Sequence, residues 1–393
     1  MKVLHVTDNY TPQGGVQQYI LSVGRLLAAN GHSNVVIHSE QSALTIRDGA
    51  WPAYHVATGG ADMTAQVQRV LEIEQPDVAY IHHVSAPELI ERLAAQLPAV
   101  AYVHGFTAVC PGLGKYFRRG NTVCQRPFGW GCVPMHYLRR CSDARRPSTL
   151  ARLMRTTAAL QQALLGLPRF LVGSLYMAAL LAQNGFPAES ITVLPPHFLP
   201  DDTRLTYTPP EEPQIILYAG RLEIEKGVPY LLHALADLPP AVRLVVDGDG
   251  TQRARYEAMG RELGLGARID FLGWLEEEAL SSTLRRCSLV VMPSIFPEPF
   301  GKTGIDALVH GRAVVAFDVG GISDWLHDGV NGFLVKPKDT RGLADRTDQL
   351  VRDEPLRTRL GQAGQASVLR QYAASHHLTI LLQTFAAATG SHG

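Results

Sequence analysis

Short β-branched runs alternate with longer segments of helical spacing along most of this chain, and that alternation fixes the class of fold. Lys2–Thr7, Asn34–His38, Asp77–His82, Ala99–His104 and Phe170–Gly173 read as buried strands. Val16–Ala29, Thr64–Glu74 and Ala86–Leu97 fall between them and repeat apolar residues at helical intervals. Strands alternating with helices predict a parallel sheet covered on both faces. A Pro-rich stretch without periodicity, 196–213, interrupts the pattern. It restarts with strands over Gln214–Tyr218, Val242–Val246, Arg268–Leu272, Ser288–Met292 and Ala313–Phe317. The reading is an α/β chain of two doubly wound, Rossmann-like domains, 1–195 and 214–372, with a helical segment over 373–393 able to pack back on the first domain. Ligands of open parallel sheets bind beyond the carboxyl ends of the strands. Two such domains facing each other would enclose a cleft, and every motif below follows a strand.

Composition excludes several classes. Among 393 residues, 36 Lys plus Arg balance 36 Asp plus Glu, so the chain as a whole is no polycation built to coat nucleic acid. At 46% hydrophobic and 18% charged it is too apolar for disorder. It holds no apolar run of the roughly 20 residues that a membrane-spanning helix needs. Met1 to Asp8 turns polar too soon for a signal peptide and reads as a first strand. Five cysteines suit a cytoplasmic chain rather than a disulfide scaffold.

Three motifs carry chemistry. In Thr11-Pro-Gln-Gly14-Gly15, paired glycines bring backbone close to a ligand and the helix that follows favours an anion. Without Gly-x-Gly-x-x-Gly, and with only Glu40 near the end of strand two, a dinucleotide dehydrogenase is disfavoured. In Gly220-Arg221-Leu-Glu-Ile-Glu-Lys226-Gly227, a guanidinium fork and an ammonium five residues apart suit a diphosphate. The bland alternative is two exposed bases paired by Glu223 and Glu225. In the run Pro293 to Asp306, Glu298 precedes a helix whose first N–H groups, at Phe300, Gly301, Lys302 and Thr303, point to a ligand. Glu298 suits sugar hydroxyls and Asp306 a ribose diol; the bland alternative is two carboxylates capping one helix. Asp247-Gly-Asp249 could be a metal motif but reads better as a Gly-rich turn after a strand.

Taken together, these motifs resemble those of the retaining family-four glycosyltransferases of the GT-B fold. The resemblance rests on Gly14-Gly15, His104 at a strand end, Gly220-Arg-Leu through Gly227, and Glu298 with seven residues before Asp306. Gly320-Gly321 and Asn331-Gly332 add to it. It implies a donor of the nucleoside-diphosphate-sugar class, UDP or GDP, with Arg221 and Lys226 holding the diphosphate as leaving group. Glu298 would bind hydroxyls of the transferred sugar, and His104 would lie beside it. Phe300 and Gly301 would donate to the sugar, and Lys302 and Thr303 to the phosphate. The ribose position, usually Glu, is Asp306 here. No carboxylate declares itself a covalent nucleophile, so the expected reaction is front-face, with the leaving phosphate oxygen taking the acceptor proton and no catalytic metal. The expected setting is cell-surface polysaccharide or natural-product glycosylation. Alternatives on the same fold are a sugar-nucleotide epimerase, a phosphorylase, or a non-catalytic nucleotide-sugar-binding subunit.

Residues 105–150 break the alternation. They contain Cys110, Cys124, Cys132 and Cys141, separated by thirteen, seven and eight residues. Three outcomes are open: a structural zinc site, with His136 as a substitute ligand, disulfides, or thiols. Cys287, alone before a strand, reads as a small buried hydrophobe. From Lys115 to Arg155 ten Lys or Arg face a single acid, Asp143, with Phe117, Phe128, Trp130 and Tyr137 interleaved. That surface suits an anionic membrane, at the inner face, or a pyrophosphate-linked lipid acceptor. Nucleic acid is not expected, because no nucleic-acid module is present. A solvated basic face is the plain alternative.

Overall fold

A computed structural model describes residues 1–11, 14–41, 46, 51–60, 62–142 and 144–390. Pro12 and Gln13 of the first glycine motif, and Asp143 of the basic stretch, lie outside the described residues. The chain divides into two compact units. The first holds Met1–Arg119, Gln125–Phe198 and Ala374–Gly393; the second holds Gly120–Cys124 and Leu199–Ala373.

The first unit is built on strands β1 (Lys2–Thr7), β2 (Ser33–His38), β3 (Ala53–His55), β4 (Val78–Ile81) and β5 (Ala99–Val103). Two short strands follow, β6 (Tyr116–Phe117) and β7 (Thr122–Val123), the latter in the second unit. Then come β8 (Arg169–Val172) and β9 (Ile191–Val193). The main sheet is parallel, in the order β3-β2-β1-β4-β5-β8-β9. Its central strands are buried along nearly their whole length, as a sheet covered on both faces requires. Helix Gly15–Ala29 lays Tyr19, Val23 and Leu27 on this sheet. The last helix, Ala374–Thr389, contributes Leu381 and Phe385 to the same core, both fully buried. This helix is therefore part of the first unit's hydrophobic core, where each such side chain stabilises by about 1.5–3 kcal/mol.

The second unit repeats the plan with β10 (Ile215–Ala219), β11 (Arg243–Asp247), β12 (Ile269–Gly273), β13 (Leu289–Met292), β14 (Ala313–Phe317) and β15 (Gly332–Val335). These lie parallel in the order β12-β11-β10-β13-β14-β15. In both sheets the order reverses beside the first strand of the unit. At such a switch point the loops leaving the strand ends diverge and open a crevice for a ligand. The Gly220 loop leaves β10 there, and the Pro293 loop leaves its neighbour β13.

Candidate active site

Two loops 70 residues apart in sequence are clamped together at the carboxyl edge of the second sheet. Gly227 has φ +69, and a Cβ there would sit 1.9 Å from the Pro293 carbonyl oxygen. Only glycine permits that approach. The Ile295 N–H donates to the Glu225 carbonyl at 2.9 Å, tying the loops a second time. Across this seam Lys226 Nζ donates to Glu298 Oε1 at 2.7 Å. The Ser294 hydroxyl donates to the same oxygen at 2.6 Å. The Lys226 ammonium also stands 4.7 Å from the centre of the Phe296 ring. Glu298 is buried, and Lys226 largely so.

A third loop fixes the Glu298 backbone. Gly320 has φ +61 and would drive a Cβ to within 2.3 Å of the Glu298 carbonyl oxygen. The next N–H, of Gly321, donates to that carbonyl at 2.7 Å. Gly320-Gly321 thus serves the carboxylate through its main chain. Trp325 Nε1–H donates to the Phe300 carbonyl at 2.7 Å, and buried Asn331 braces the turn behind it. Helix Lys302–Val309 then starts at Gly301, whose carbonyl accepts the Gly304 N–H at 3.0 Å, and the N–H groups ahead of Gly304 have no helical carbonyl to reach. An ammonium, a carboxylate and a helix N-terminus are therefore gathered beside one another, which suits a ligand carrying both hydroxyls and negative charge.

The remaining predicted residues of this unit are placed differently. Arg221 is half exposed and lies 3.5 Å from Glu225, whereas Glu223 turns away to bond Thr251. The paired-base alternative is thus present in part, for Arg221 and Glu225 alone. Asp306 is held through both carboxylate oxygens by Lys302 Nζ, each at 2.8 Å, one helical turn away. Asp247 is buried, accepts the Leu275 N–H at 2.9 Å, and has its carboxyl pushed up by burial. Asp249 accepts from its neighbour Gly250 N–H and from Arg253. Asp-Gly-Asp is a turn whose carboxylates are spent on the protein.

In the first unit Gly14, at φ +102, begins helix Gly15–Ala29. His104 follows β5, stacks on Tyr102 with centroids 4.1 Å apart, and bonds His82. Sequence reasoning missed a second pair at this edge. Asp8, just past β1, accepts from Ser39 Oγ at 2.7 Å and Ser85 N–H at 2.9 Å, and lies 3.6 Å from His83 Nδ1. Burial alone would raise the Asp8 carboxyl, but the bonds from His83, Ser39 and Ser85 outweigh it and hold the group below its ordinary range. The bond to Asp8 raises His83 against the opposing effect of burial. The signal that could have found the pair is positional, since both residues stand just beyond strand ends.

Among the described residues no three His, Cys, Asp or Glu side chains gather closely enough to hold an ion. Nor does any disulfide join the cysteines. Cys110 is buried, Cys132 begins helix Cys132–Arg139, and Cys124 follows β7 in the second unit. Cys141 lies 3.8 Å from His136 Nδ1. His136 Nε2 donates to the Ala144 carbonyl at 2.7 Å, so that imidazole braces its own loop. Cys287 is fully buried, and burial pushes its thiol up to about 12. The basic stretch is largely at the surface: Arg118, Arg119, Arg126, Arg140, Arg145, Arg146, Arg152 and Arg155 are exposed, and Trp130 is 89% exposed. Arg139 is half-buried, and Lys115 is buried with its ammonium donating to the Arg126 carbonyl.

Residues 13–198 match the family described as Glycosyltransferase Family 4, and residues 202–367 match Glycosyl transferases group 1. Among relatives, the alpha-D-kanosaminyltransferase of Streptomyces kanamyceticus is 33% identical over 41% of this chain and 42% of its own length. The D-inositol 3-phosphate glycosyltransferase of Stackebrandtia nassauensis is 31% identical over 50% of this chain and 48% of its own length. The chain thus spans less than half the length of these curated relatives. Among solved structures, Anabaena HepE in complex with UDP-glucose has 20% identity and a TM-score of 0.73, covering 98% of this chain and all of that one. The lipopolysaccharide outer core galactosyltransferase WaaB has 15% identity and a TM-score of 0.72, covering 98% and 99%. With both halves matched and the two-sheet fold shared, the chain belongs to the family-four glycosyltransferases of the GT-B fold.

Proposed function

We propose that the chain is a retaining glycosyltransferase that moves a sugar from a nucleoside diphosphate sugar to an acceptor hydroxyl. The observation that carries this reading is the buried Lys226–Glu298 pair beside the N-terminus of helix Lys302–Val309. The ammonium and the N–H groups compensate a diphosphate, Arg221 adds an exposed guanidinium from the same loop, and the carboxylate takes sugar hydroxyls. Asp306, once Lys302 turns to phosphate, is released to the ribose. His104 of the first unit serves the transferred sugar. HepE was crystallised with UDP-glucose, which supports a UDP-linked donor.

Departure of the diphosphate separates charge at the anomeric carbon, and Lys226 and Arg221 lower that barrier. The diphosphate leaves from the same face of the anomeric carbon that the acceptor oxygen enters, so the departing phosphate oxygen can take the acceptor proton and the anomeric configuration is kept. The site's own cations and helix N-terminus supply the positive charge that a divalent ion supplies in other transferases. The basic and aromatic surface about Trp130 receives an anionic membrane or a pyrophosphate-linked lipid acceptor, in cell-surface or natural-product glycosylation at the cytoplasmic face. Incubation with a panel of UDP- and GDP-sugars, with released nucleotide followed by phosphorus NMR, tests the donor class. Release from one donor supports the reading, whereas intact donors throughout support a non-catalytic subunit.

A further inference from the structure

The first unit contains a row of three imidazoles joined nitrogen to nitrogen, from the middle of β1 to the end of β5. Asn34 Nδ2 donates to the Gly24 carbonyl at 2.9 Å. Asn34 Oδ1 lies 3.0 Å from His5 Nε2, His5 Nδ1 lies 3.2 Å from His82 Nε2, and His82 Nδ1 lies 3.3 Å from His104 Nε2. The rings are close to parallel, at 8° between His5 and His82 and 28° between His82 and His104. Asn34, His5 and His82 are buried, whereas His104 is partly exposed at the strand end.

We propose that Asn34, through His5 and His82, is a positioning relay that locks His104 with its proton on Nε2 and its lone pair on Nδ1. A backbone carbonyl only accepts, so the atom of Asn34 facing Gly24 is its amide nitrogen, and its oxygen faces His5. His5 Nε2 must then carry the hydrogen. In a neutral ring the other nitrogen is bare, so His5 Nδ1 accepts and His82 Nε2 donates. The same step passes the constraint on, and His104 Nε2 donates to His82 Nδ1. Neutrality follows from burial, which pushes His5 down to about 4 and His104 down to about 3, and holds His82 well below the ordinary histidine range. The row is a lock and no proton wire, because the Asn34 amide ends it and takes no proton. Among the described residues nothing else hydrogen-bonds the His104 ring, so Nδ1 is left to accept from a ligand hydroxyl. The tautomer stands on this geometry and on the neutrality of the buried rings; only its use toward a sugar hydroxyl rests on the transferase reading.

Nitrogen NMR of the full chain labelled at histidine tests the relay without any donor or acceptor, so it can fail or hold independently of the transferase reading. The His104 signals are assigned by their loss in His104→Gln. In the wild type His104 should show a pyridine-type Nδ1 and a pyrrole-type Nε2 near pH 7. Asn34→Leu should move both toward averaged positions as the second tautomer becomes populated, and Asn34→Asp, which keeps an acceptor for His5, should restore them. A wild-type His104 protonated at Nδ1 overturns the proposal, whether or not any variant folds. So does an Asn34→Leu protein that folds with the His104 signals unmoved.

Discussion

The Lys226 ammonium meets the Glu298 carboxylate at 2.7 Å although 72 residues separate them, and Ser294 reaches the same oxygen. Burial makes the pair interdependent. Removing one partner strands the other charge away from water, a loss of about 3–5 kcal/mol in buried pairs. The two residues are thus a unit to which a ligand adds its own charge and hydroxyls.

Glu298→Gln should fold, since an amide oxygen can still accept from Ser294 and Lys226. Turnover should fall by about a hundredfold or more, the usual cost of losing a charged contact at a reacting centre. Circular dichroism with a nucleotide-release assay checks this, and near-normal turnover would remove Glu298 from the site.

Lys226→Ala and Arg221→Ala should each weaken binding of a nucleoside diphosphate by about tenfold or more, because charge-assisted bonds are worth about 1.5–3 kcal/mol. They should differ in stability. Arg221 is half exposed and its guanidinium faces Glu225 at the surface, so its loss should leave the melting temperature unchanged, whereas Lys226→Ala should lower it. Calorimetric titration and thermal melts separate the two effects.

Acid should destabilise the first unit well before its carboxylates titrate. The folded values of His5 and His104, about 4 and about 3, lie below the ordinary value of 6.5. The unfolded chain therefore binds more protons, and stability falls as pH drops below about 6.5 toward these folded values, by about 1.4 kcal/mol per pH unit for each such histidine. His83 has the opposite sign, since its stabilisation is present at low pH and lost on raising pH through its elevated value. Melts at pH 7 and pH 5 should show a marked loss, reduced in His5→Gln. A flat profile would contradict buried neutral imidazoles.

Reversing Arg118, Arg119, Arg139 and Arg140 to Glu should abolish flotation with anionic vesicles and leave nucleotide affinity unchanged. The wild-type interaction should strengthen at low ionic strength, since exposed charges are screened within about 8 Å at physiological salt. A wild type that ignores the vesicles makes this an ordinary solvated face.

Much of the fold was legible because a parallel sheet buried on both faces demands continuous apolar runs. Lys2–Thr7 and Ala313–Phe317 are strands with the expected bounds. The short edge strands Ala53–His55 and Ile191–Val193 were not legible, since three residues carry no periodicity. Gly332–Val335 was read only as the glycine of a motif. The loops bearing Lys226 and Glu298 were found separately, but their pairing depends on which strands are neighbours, and β10 lies beside β13. The imidazole row has the same origin, with His5 and His82 lying 77 residues apart. Cysteine spacing left three outcomes open, because it counts residues and says nothing of where helix Cys132–Arg139 turns them.

The stereochemistry of transfer tests the central claim most directly. With the accepted sugar nucleotide, proton NMR of the product formed by wild type and by Glu298→Gln gives both the anomeric configuration and the dependence on the carboxylate. The wild type should keep the donor's own anomeric configuration, in chelator as well as in its absence, and Glu298→Gln should form product at about a hundredth of the rate or less. A product of inverted configuration, or equal rates for the two proteins, would contradict the front-face transfer.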